Sequence, residues 1–326
     1  MKKRVLSGIQ PSGKLHLGNM IGALNNWVNL QNEFDCFFFI ADLHALTTSY
    51  ADTSGLKDFS FQAAIDMVSV GLDPDKCTMF RQSDLPEHSE MHLLLSMIVP
   101  LPWLERVPTY KGQIDELKGK DLGTYGFLGY PVLQAADILI YKADFVPVGS
   151  DQLPHIELTR EIARRFNNLY GNVFPEPAAK LTQIPLLPGL DGRKMSKSYG
   201  NTIAISDNKD TIRKKIESMI TDPARVKKID QGHPDVCNVF SYYKIFAPQN
   251  ISALETKCKN AQLGCVECKQ AFSDILIRFL SPIQEKRADL ASNPENIKKI
   301  LDLGSIKAKE SAGLTLEETK KAMRLI

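Results

Sequence analysis

Short apolar runs and longer amphipathic stretches alternate through the first half of the chain. Residues 4–9 (RVLSGI), 35–41 (DCFFFIA), 77–82 (CTMFRQ) and 145–149 (FVPVG) are rich in β-formers and bounded by polar, Gly or Pro residues, which predicts strands. Between them, 18–32, 56–71 and 87–99 repeat apolar residues at helical spacing, with Phe61, Ile65, Val68 and Leu72 forming one such stripe. This rhythm predicts an α/β fold built on a doubly wound, parallel, Rossmann-like sheet. From about residue 207 the strand pattern ends and helical periodicity takes over at 209–220, 239–247, 267–290 and 294–324. The expected organisation is a Rossmann-like domain over 1–206 followed by a helical domain over 207–326. Residues 105–128, rich in Lys, Gly and Asp, fit neither period and are expected to be a mobile excursion from the core.

Composition changes this picture little. With 326 residues, 43% of them hydrophobic, the chain can bury a large core, and a net charge of +2 leaves any nucleic-acid contact to local basic patches. No apolar run is long enough for a membrane span, and the opening MKKRVLSGIQPSG holds too short an apolar segment for a signal peptide, so a cytoplasmic protein is expected. In a reducing compartment clustered cysteines point to metal or redox chemistry rather than disulfides. Four of the six cysteines, Cys237, Cys258, Cys265 and Cys268, are spaced C-x20-C-x6-C-x2-C, while Cys36 and Cys77 stand apart in apolar surroundings and read as buried small hydrophobes. Four thiolates suit zinc or an iron–sulfur cube equally, and spacing alone does not choose.

Two further stretches carry chemistry. Directly after the first strand comes GIQPSGKLHLGNMIGA, a loop with His16, Gly18 and Asn19 that runs into a helix. Ligands of open α/β sheets sit at the carboxyl ends of the strands, and a glycine at a helix start lets a nucleotide approach the backbone closely. The second is DGRKMSKSYGN (191–201), which sets Lys194 and Lys197 among serines in a loop between glycines. Two ammonium groups there can follow charge as it builds on a leaving pyrophosphate, though a solvated basic loop has the same composition.

Taken together, HLGN (16–19) and KMSKS (194–198) ahead of a helical C-terminal half resemble the paired motifs of the class I aminoacyl-tRNA synthetases. The segments SGIQPSGKLHLGN, YPVLQAADILIYKADFVPVGSDQLPHIELTREIARRFN and GRKMSKSYGN carry that resemblance to the bacterial tryptophanyl-tRNA synthetase family over nearly the whole chain. It implies that Gln10, Pro11, Ser12, His16, Gly18 and Asn19 contact ATP, together with Gly149, Ser150 and Asp151 of VGSDQ and the loop Lys194, Met195, Ser196, Lys197 and Ser198. It also implies that His16, Lys194 and Lys197 act in catalysis, and Lys111 of the 105–128 segment is expected to reach the leaving phosphates.

By the same resemblance Asp137 accepts the indole N–H of L-tryptophan, and Gln152, Tyr130, His44, Val146 and Val148 line its pocket. On a helix Leu133, Gln134 and Asp137 share one face. Gln134 stands where many bacterial relatives place a methionine under the indole. A carboxylate receptor suits indole, which can only donate, and rejects phenylalanine, which would leave it unpaired. Implied partners are ATP with Mg2+, tRNA(Trp) and a second copy of the chain in a homodimer. A subset of the family carries a [4Fe–4S] cluster on similarly spaced cysteines in the helical domain; zinc is the alternative. Tyrosyl-tRNA synthetase shares the fold and adenylate chemistry and is the nearest rival. A non-catalytic, synthetase-like RNA-binding protein need not keep both ATP motifs, and a smaller-substrate adenylyltransferase would lack the helical half. The basic residues Arg213, Lys214, Lys215, Arg225, Lys227 and Lys228 suggest a surface that meets RNA but read no base by themselves.

Overall fold

A computed structural model describes all residues except 1, 109, 111, 113–121 and 182–186, and at Ser198 the backbone alone. Five strands, β1 (Arg4–Ile9), β2 (Asp35–Ile40), β3 (Cys77–Arg81), β4 (Phe145–Val148) and β5 (Ala178–Leu181), form one parallel sheet in the order β3-β2-β1-β4-β5. The four expected strands are present. The fifth was not legible, because Ala178–Leu181 is only partly covered and its four residues carry no apolar run. Sequence order reverses between β1 and β4, so the crevice at their carboxyl ends is the place where a sheet of this topology takes a ligand.

Contacts divide the chain into two units: Met1–Gly13, Asn25–Gln183 and Asn293–Ile326 in one, and Lys14–Leu24 with Ile184–Ser292 in the other. The first holds the sheet, α2 (Asn25–Leu30), α3 (Asp42–Ser49), α4 (Leu56–Val70), α5 (Pro86–Ser96), α6 (Leu101–Glu105), α7 (Tyr125–Ile140), α8 (Leu153–Tyr170) and the final helix, α13 (Pro294–Ala322). The second holds α1 (Leu17–Asn19) with its π-helical continuation Met20–Leu24, then α9 (Lys209–Ser218), α10 (Asn238–Phe246), α11 (Ile251–Lys259) and α12 (Cys265–Ser292). The helix expected over 18–32 is thus broken into α1, a π-turn and α2. Helix α7 starts inside the expected excursion, at Tyr125, where the Thr124 hydroxyl caps it by accepting from the Phe127 N–H at 3.2 Å.

These divisions differ from the expected break at 206/207 at both ends. Periodicity reports that 294–324 is helical, not what the helix packs on. Helix α13 lies on β3: a Cβ on Gly304 would stand 1.7 Å from the Met79 carbonyl oxygen, a distance only glycine permits. Ala308, Ala312 and Leu316, further along the same face, enter the core cluster that contains Phe39, Phe80 and Tyr141. Arg4 ties this helix to the first strand, since its Nη1 donates to the Tyr141 carbonyl at 2.6 Å and the Ser311 hydroxyl at 3.0 Å. At the other end, residues 14–24 join the second unit through backbone pairing: Leu17 N–H donates to Ile203 O at 2.9 Å and Ile205 N–H to Leu15 O at 3.0 Å.

Cys36 and Cys77 are buried as expected but are not isolated. They face each other in the β2/β3 register. Burial first pushes both thiols up to about 12, helped at Cys36 by the neighbouring Cys77 and at Cys77 by Asp73. Such thiols are inert.

Gly304→Val should separate α13 from β3, lowering the melting temperature by about 5–10 °C or leaving the protein insoluble, whereas a valine at exposed Leu303 should change it little.

Candidate active site

The carboxyl ends of β1 and β4 lead into the two loops that the sequence singled out. Gln10, Pro11 and Ser12 follow β1, and Gly13 turns the chain with φ +126°. After β4, Gly149 opens a single 3-10 turn, Ser150–Gln152, which runs into α8. A Cβ on Gly149 would approach the Asp151 carboxylate to 2.7 Å, so glycine leaves Asp151 room to fold back over the turn.

Deeper in the same unit lies Asp137, on α7, with only 1% of its surface exposed. A buried carboxylate must be hydrogen-bonded, and three residues do so. His44 Nε2, from α3, is 2.8 Å from Oδ2; His88 Nδ1, from α5, is 2.7 Å from Oδ1; and Gln82 Nε2, from the turn after β3, donates to Oδ1 at 2.8 Å and to Oδ2 at 2.9 Å. Burial pushes the carboxyl up, but the hydrogen bonds from His44 and His88 outweigh it and hold the group down at about 2. Asp137 is therefore an anionic acceptor at neutral pH.

Tyr130, a little under two turns before Asp137 on α7, is buried and its ring lies 5.5 Å from that of His155. Gln134, on the adjacent turn, is half-buried, as is Gln152. Val146 and Val148 are buried on β4. Burial first, then the charge of His44, lowers the His155 ring to about 4 against an opposing pull from Asp151.

In the second unit the two sequence motifs, more than 170 residues apart, meet. His16 caps α1 reciprocally: its Nδ1 accepts from the Asn19 N–H at 3.3 Å, and its own N–H donates to Asn19 Oδ1 at 3.1 Å. Desolvation and then the Lys197 charge lower His16 to about 4, so the ring stays neutral and can accept. The Gly18 N–H points at Met195 Sδ, 3.3 Å away, and a Cβ on Gly18 would press on the His16 ring at 3.0 Å. Asn201 fixes the lysine loop: its Oδ1 accepts from the Ser196 N–H at 2.8 Å, and its Nδ2 donates to Asp191 at 2.7 Å and to the Lys194 carbonyl at 3.1 Å. Lys194 is exposed and Lys197 half-buried. Lys111 lies outside the described residues.

Residues 1–281 match the family described as tRNA synthetases class I (W and Y). The chain belongs to that family. It is 51% identical to the tryptophan–tRNA ligase of Thermotoga maritima, covering 99% of each, and 44% identical to that of Aquifex aeolicus, covering 99% of this chain and all of the other. Among solved structures, the tryptophanyl-tRNA synthetase of Campylobacter jejuni complexed with ADP and tryptophan superposes with a TM-score of 0.90 at 36% identity, over 98% of this chain and 99% of that one. The Rossmann-like class I synthetase architecture with helical additions is the one described above.

The four thiols of this class I chain line one cavity of about 30 Å3. Among the described residues no three His, Cys, Asp or Glu side chains are drawn together closely enough to hold a metal ion. The surroundings nevertheless suit an anionic, thiolate-bound centre. Cys237 is the N-cap of α10, without a side-chain cap hydrogen bond, and Cys265 opens α12. Arg225 Nη1 donates to Cys258 Sγ at 3.7 Å. Gly232 lies so near that a Cβ would stand 2.3 Å from the same sulfur. Burial first, then the other three thiols, raises Cys268 to about 12; burial likewise raises Cys237 and Cys258. A cation bound among them would remove both penalties.

Sequence reasoning missed Gln82, His88, Tyr141 and Asn201. The first two stand in FRQSDLPEH, at the carboxyl end of the third strand, where the rule for ligand sites in α/β sheets points.

As pH falls from about 6.5 toward about 4, the unfolded chain protonates His16 and His155 before the folded one does, so stability should fall across that window and level off below it. Urea midpoints measured against pH should slope less in His155→Phe than in the wild type.

Proposed function

We propose that the chain is a tryptophan–tRNA ligase. The observation that carries this reading is the buried, anionic Asp137 carboxylate, an acceptor suited to an amino-acid side chain that only donates. Relatives 51% and 44% identical over 99% of the chain, both tryptophan–tRNA ligases, support it. The tyrosyl-tRNA synthetase of Archaeoglobus fulgidus, at 23% identity, shares the fold alone.

In the reaction a tryptophan carboxylate oxygen attacks the α-phosphorus of ATP, and pyrophosphate leaves with the bridging oxygen. The resulting tryptophanyl-adenylate then passes its acyl group to a ribose hydroxyl of the terminal adenosine of tRNA(Trp), releasing AMP. No enzyme nucleophile is needed, so this chain's task is to position reactants and stabilise charge. Gln10, Pro11, Ser12, Gly149, Ser150 and Asp151 are assigned to ATP, as are Gly18, Asn19 and the 194–198 loop. The neutral His16 ring keeps the first turn of α1 capped. Lys194 and Lys197 stabilise charge on the departing pyrophosphate, and Lys111 is assigned to the same phosphates. Mg2+ enters with ATP and neutralises part of its charge. Asp137, Gln152, Tyr130, His44, Gln134, Val146 and Val148 are assigned to tryptophan.

A homodimer is in keeping with the exposed apolar residues Leu93, Met97 and Leu101, which follow one another along α5 and into α6. No helix of the described residues is long and apolar enough to cross a membrane, in keeping with a cytoplasmic enzyme. The second unit is assigned to tRNA, where Arg225, Lys227 and Lys228 line an open groove that also reaches Cys265.

Cys237, Cys258, Cys265 and Cys268 are proposed to hold a [4Fe–4S] cluster, which would supply a structural crosslink with redox capacity. The Gly232 cradle, the helix ends and Arg225 support an anionic centre. A cube gives each thiolate its own iron and accepts sulfurs set more widely than a single zinc ion does.

Lys197→Ala should slow tryptophan-dependent ATP–pyrophosphate exchange by about 10²–10³-fold while tryptophan binding changes little; an unaltered exchange rate would remove Lys197 from the mechanism. Anaerobically purified protein should be brown with about four irons per chain, and Cys258→Ser colourless; colourless zinc-containing protein from the wild type would replace the cluster assignment.

A further inference from the structure

The loop that carries Lys194 and Lys197 has its shape fixed from within and its place fixed from outside. Asn201 and a turn bond from the Gly192 N–H to Gly189 O at 3.0 Å set the shape, and Pro188 pairs with Lys194 in an antiparallel bridge. Bonds within a loop do not decide where it sits. The segment that leads into it, residues 188–190, is held by α10: the Tyr242 hydroxyl donates to the Pro188 carbonyl at 2.6 Å, and Asn238 Nδ2 donates to Gly189 O at 2.7 Å and Leu190 O at 3.2 Å. The Ile220 N–H adds a backbone bond to Leu190 O at 3.0 Å. Two side chains of one helix thus grip three consecutive carbonyls just ahead of the lysines.

Both side chains are placed to donate. Asn238 and Tyr242 stand one turn apart on the same face of α10, 6% and 0% exposed. Burial first, then the Asp191 charge, raises the Tyr242 hydroxyl above its ordinary value, so it keeps the proton that it gives to the carbonyl. Asn238 Oδ1 is buried and meets no hydrogen-bond partner among the described residues. An orphaned acceptor costs stability, so what the amide contributes here is its two N–H donors. The helix behind them is braced in turn: the Tyr242 ring packs edge-on, at 83° and 5.8 Å, against the fully buried Phe272 of α12.

We propose that Asn238 and Tyr242 are positioning residues for adenylate formation, setting where Lys194 and Lys197 stand when pyrophosphate departs. The inference rests on the reading that these lysines stabilise the departing charge. Such stabilisation is greatest when the charged groups are in place before the charge forms, and it weakens with distance. A loop released at residues 188–190 would carry both ammonium groups away together. Because the lysines act on charge that appears only as the bond breaks, their displacement lowers kcat and leaves tryptophan binding alone.

The test is tryptophan-dependent ATP–pyrophosphate exchange at saturating ATP. Tyr242→Phe, which deletes one oxygen, should lower kcat by about fivefold and Asn238→Ala by about thirtyfold, with KM for tryptophan unchanged. Neither should matter once the lysines are gone: in a Lys194→Ala/Lys197→Ala background each should change single-turnover adenylate formation by less than about twofold. A lower melting temperature with kcat unchanged, or an equal loss of rate with and without the lysines, means that the two side chains only hold the fold together, and the inference is overturned. Lys194→Ala/Lys197→Ala alone separates the two levels. Exchange at the wild-type rate in that variant removes the reading of the lysines and the inference with it. Slow exchange there beside an unimpaired Tyr242→Phe removes only the positioning role. Should Asn238→Ala fail to fold by circular dichroism, Tyr242→Phe decides alone.

Discussion

An anionic carboxylate with 1% exposure cannot exist in a protein core without donors around it, and in this unit Asp137 sets the terms for everything near it. Its partners come from α3 and, some forty residues later, from the turn after β3 and the start of α5. They meet because a parallel sheet brings the carboxyl ends of its strands to one edge. Removing one partner from such a buried, charged group costs about 3–5 kcal/mol, so the carboxylate and the fold support each other. Arg4 extends the same network outward: it holds the Tyr141 carbonyl and Ser311, which links the end of α7 to the C-terminal helix.

Elsewhere the chain positions chemistry by the backbone more than by charge. In the second unit the HLGN segment lies beside residues 203–205 through main-chain hydrogen bonds, and Asn201 ties the lysine loop down with side-chain bonds to three parts of that loop. The thiol site follows a similar rule: glycine at 232 gives Cys258 its space, and helix starts at Asn238 and Cys265 turn partial positive charge toward the sulfurs.

Much of this was legible in the sequence, for identifiable reasons. Strands β1 to β4 are continuous apolar runs with punctuated ends, so their period and length gave them away. The glycine-containing loops after β1 and β4 and the KMSKS loop have compositions with a chemical purpose at known places on an α/β sheet. Strand β5 lacked such a signal, since an edge strand of four half-covered residues needs no apolar run. Gln82 and His88 were invisible for another reason. A buried polar residue looks like a surface one until its partners are known, and Tyr141, one turn beyond Asp137, reads as ordinary core.

By itself the sequence determined the class of fold, the strand–helix rhythm, the motifs that mark a class I synthetase and the gathering of four cysteines. All of these depend on the residues' own spacing or chemistry. Tertiary structure decided what periodicity cannot carry. It returned α13 to the sheet, because Gly304 lets a helix touch the backbone of β3, and it joined residues 14–24 by backbone pairing to residues 203–205, just after the lysine loop. It also enclosed Asp137 among Gln82, His44 and His88. Which donors surround a buried charge depends on which chain ends meet in space, and only the folded sheet specifies that.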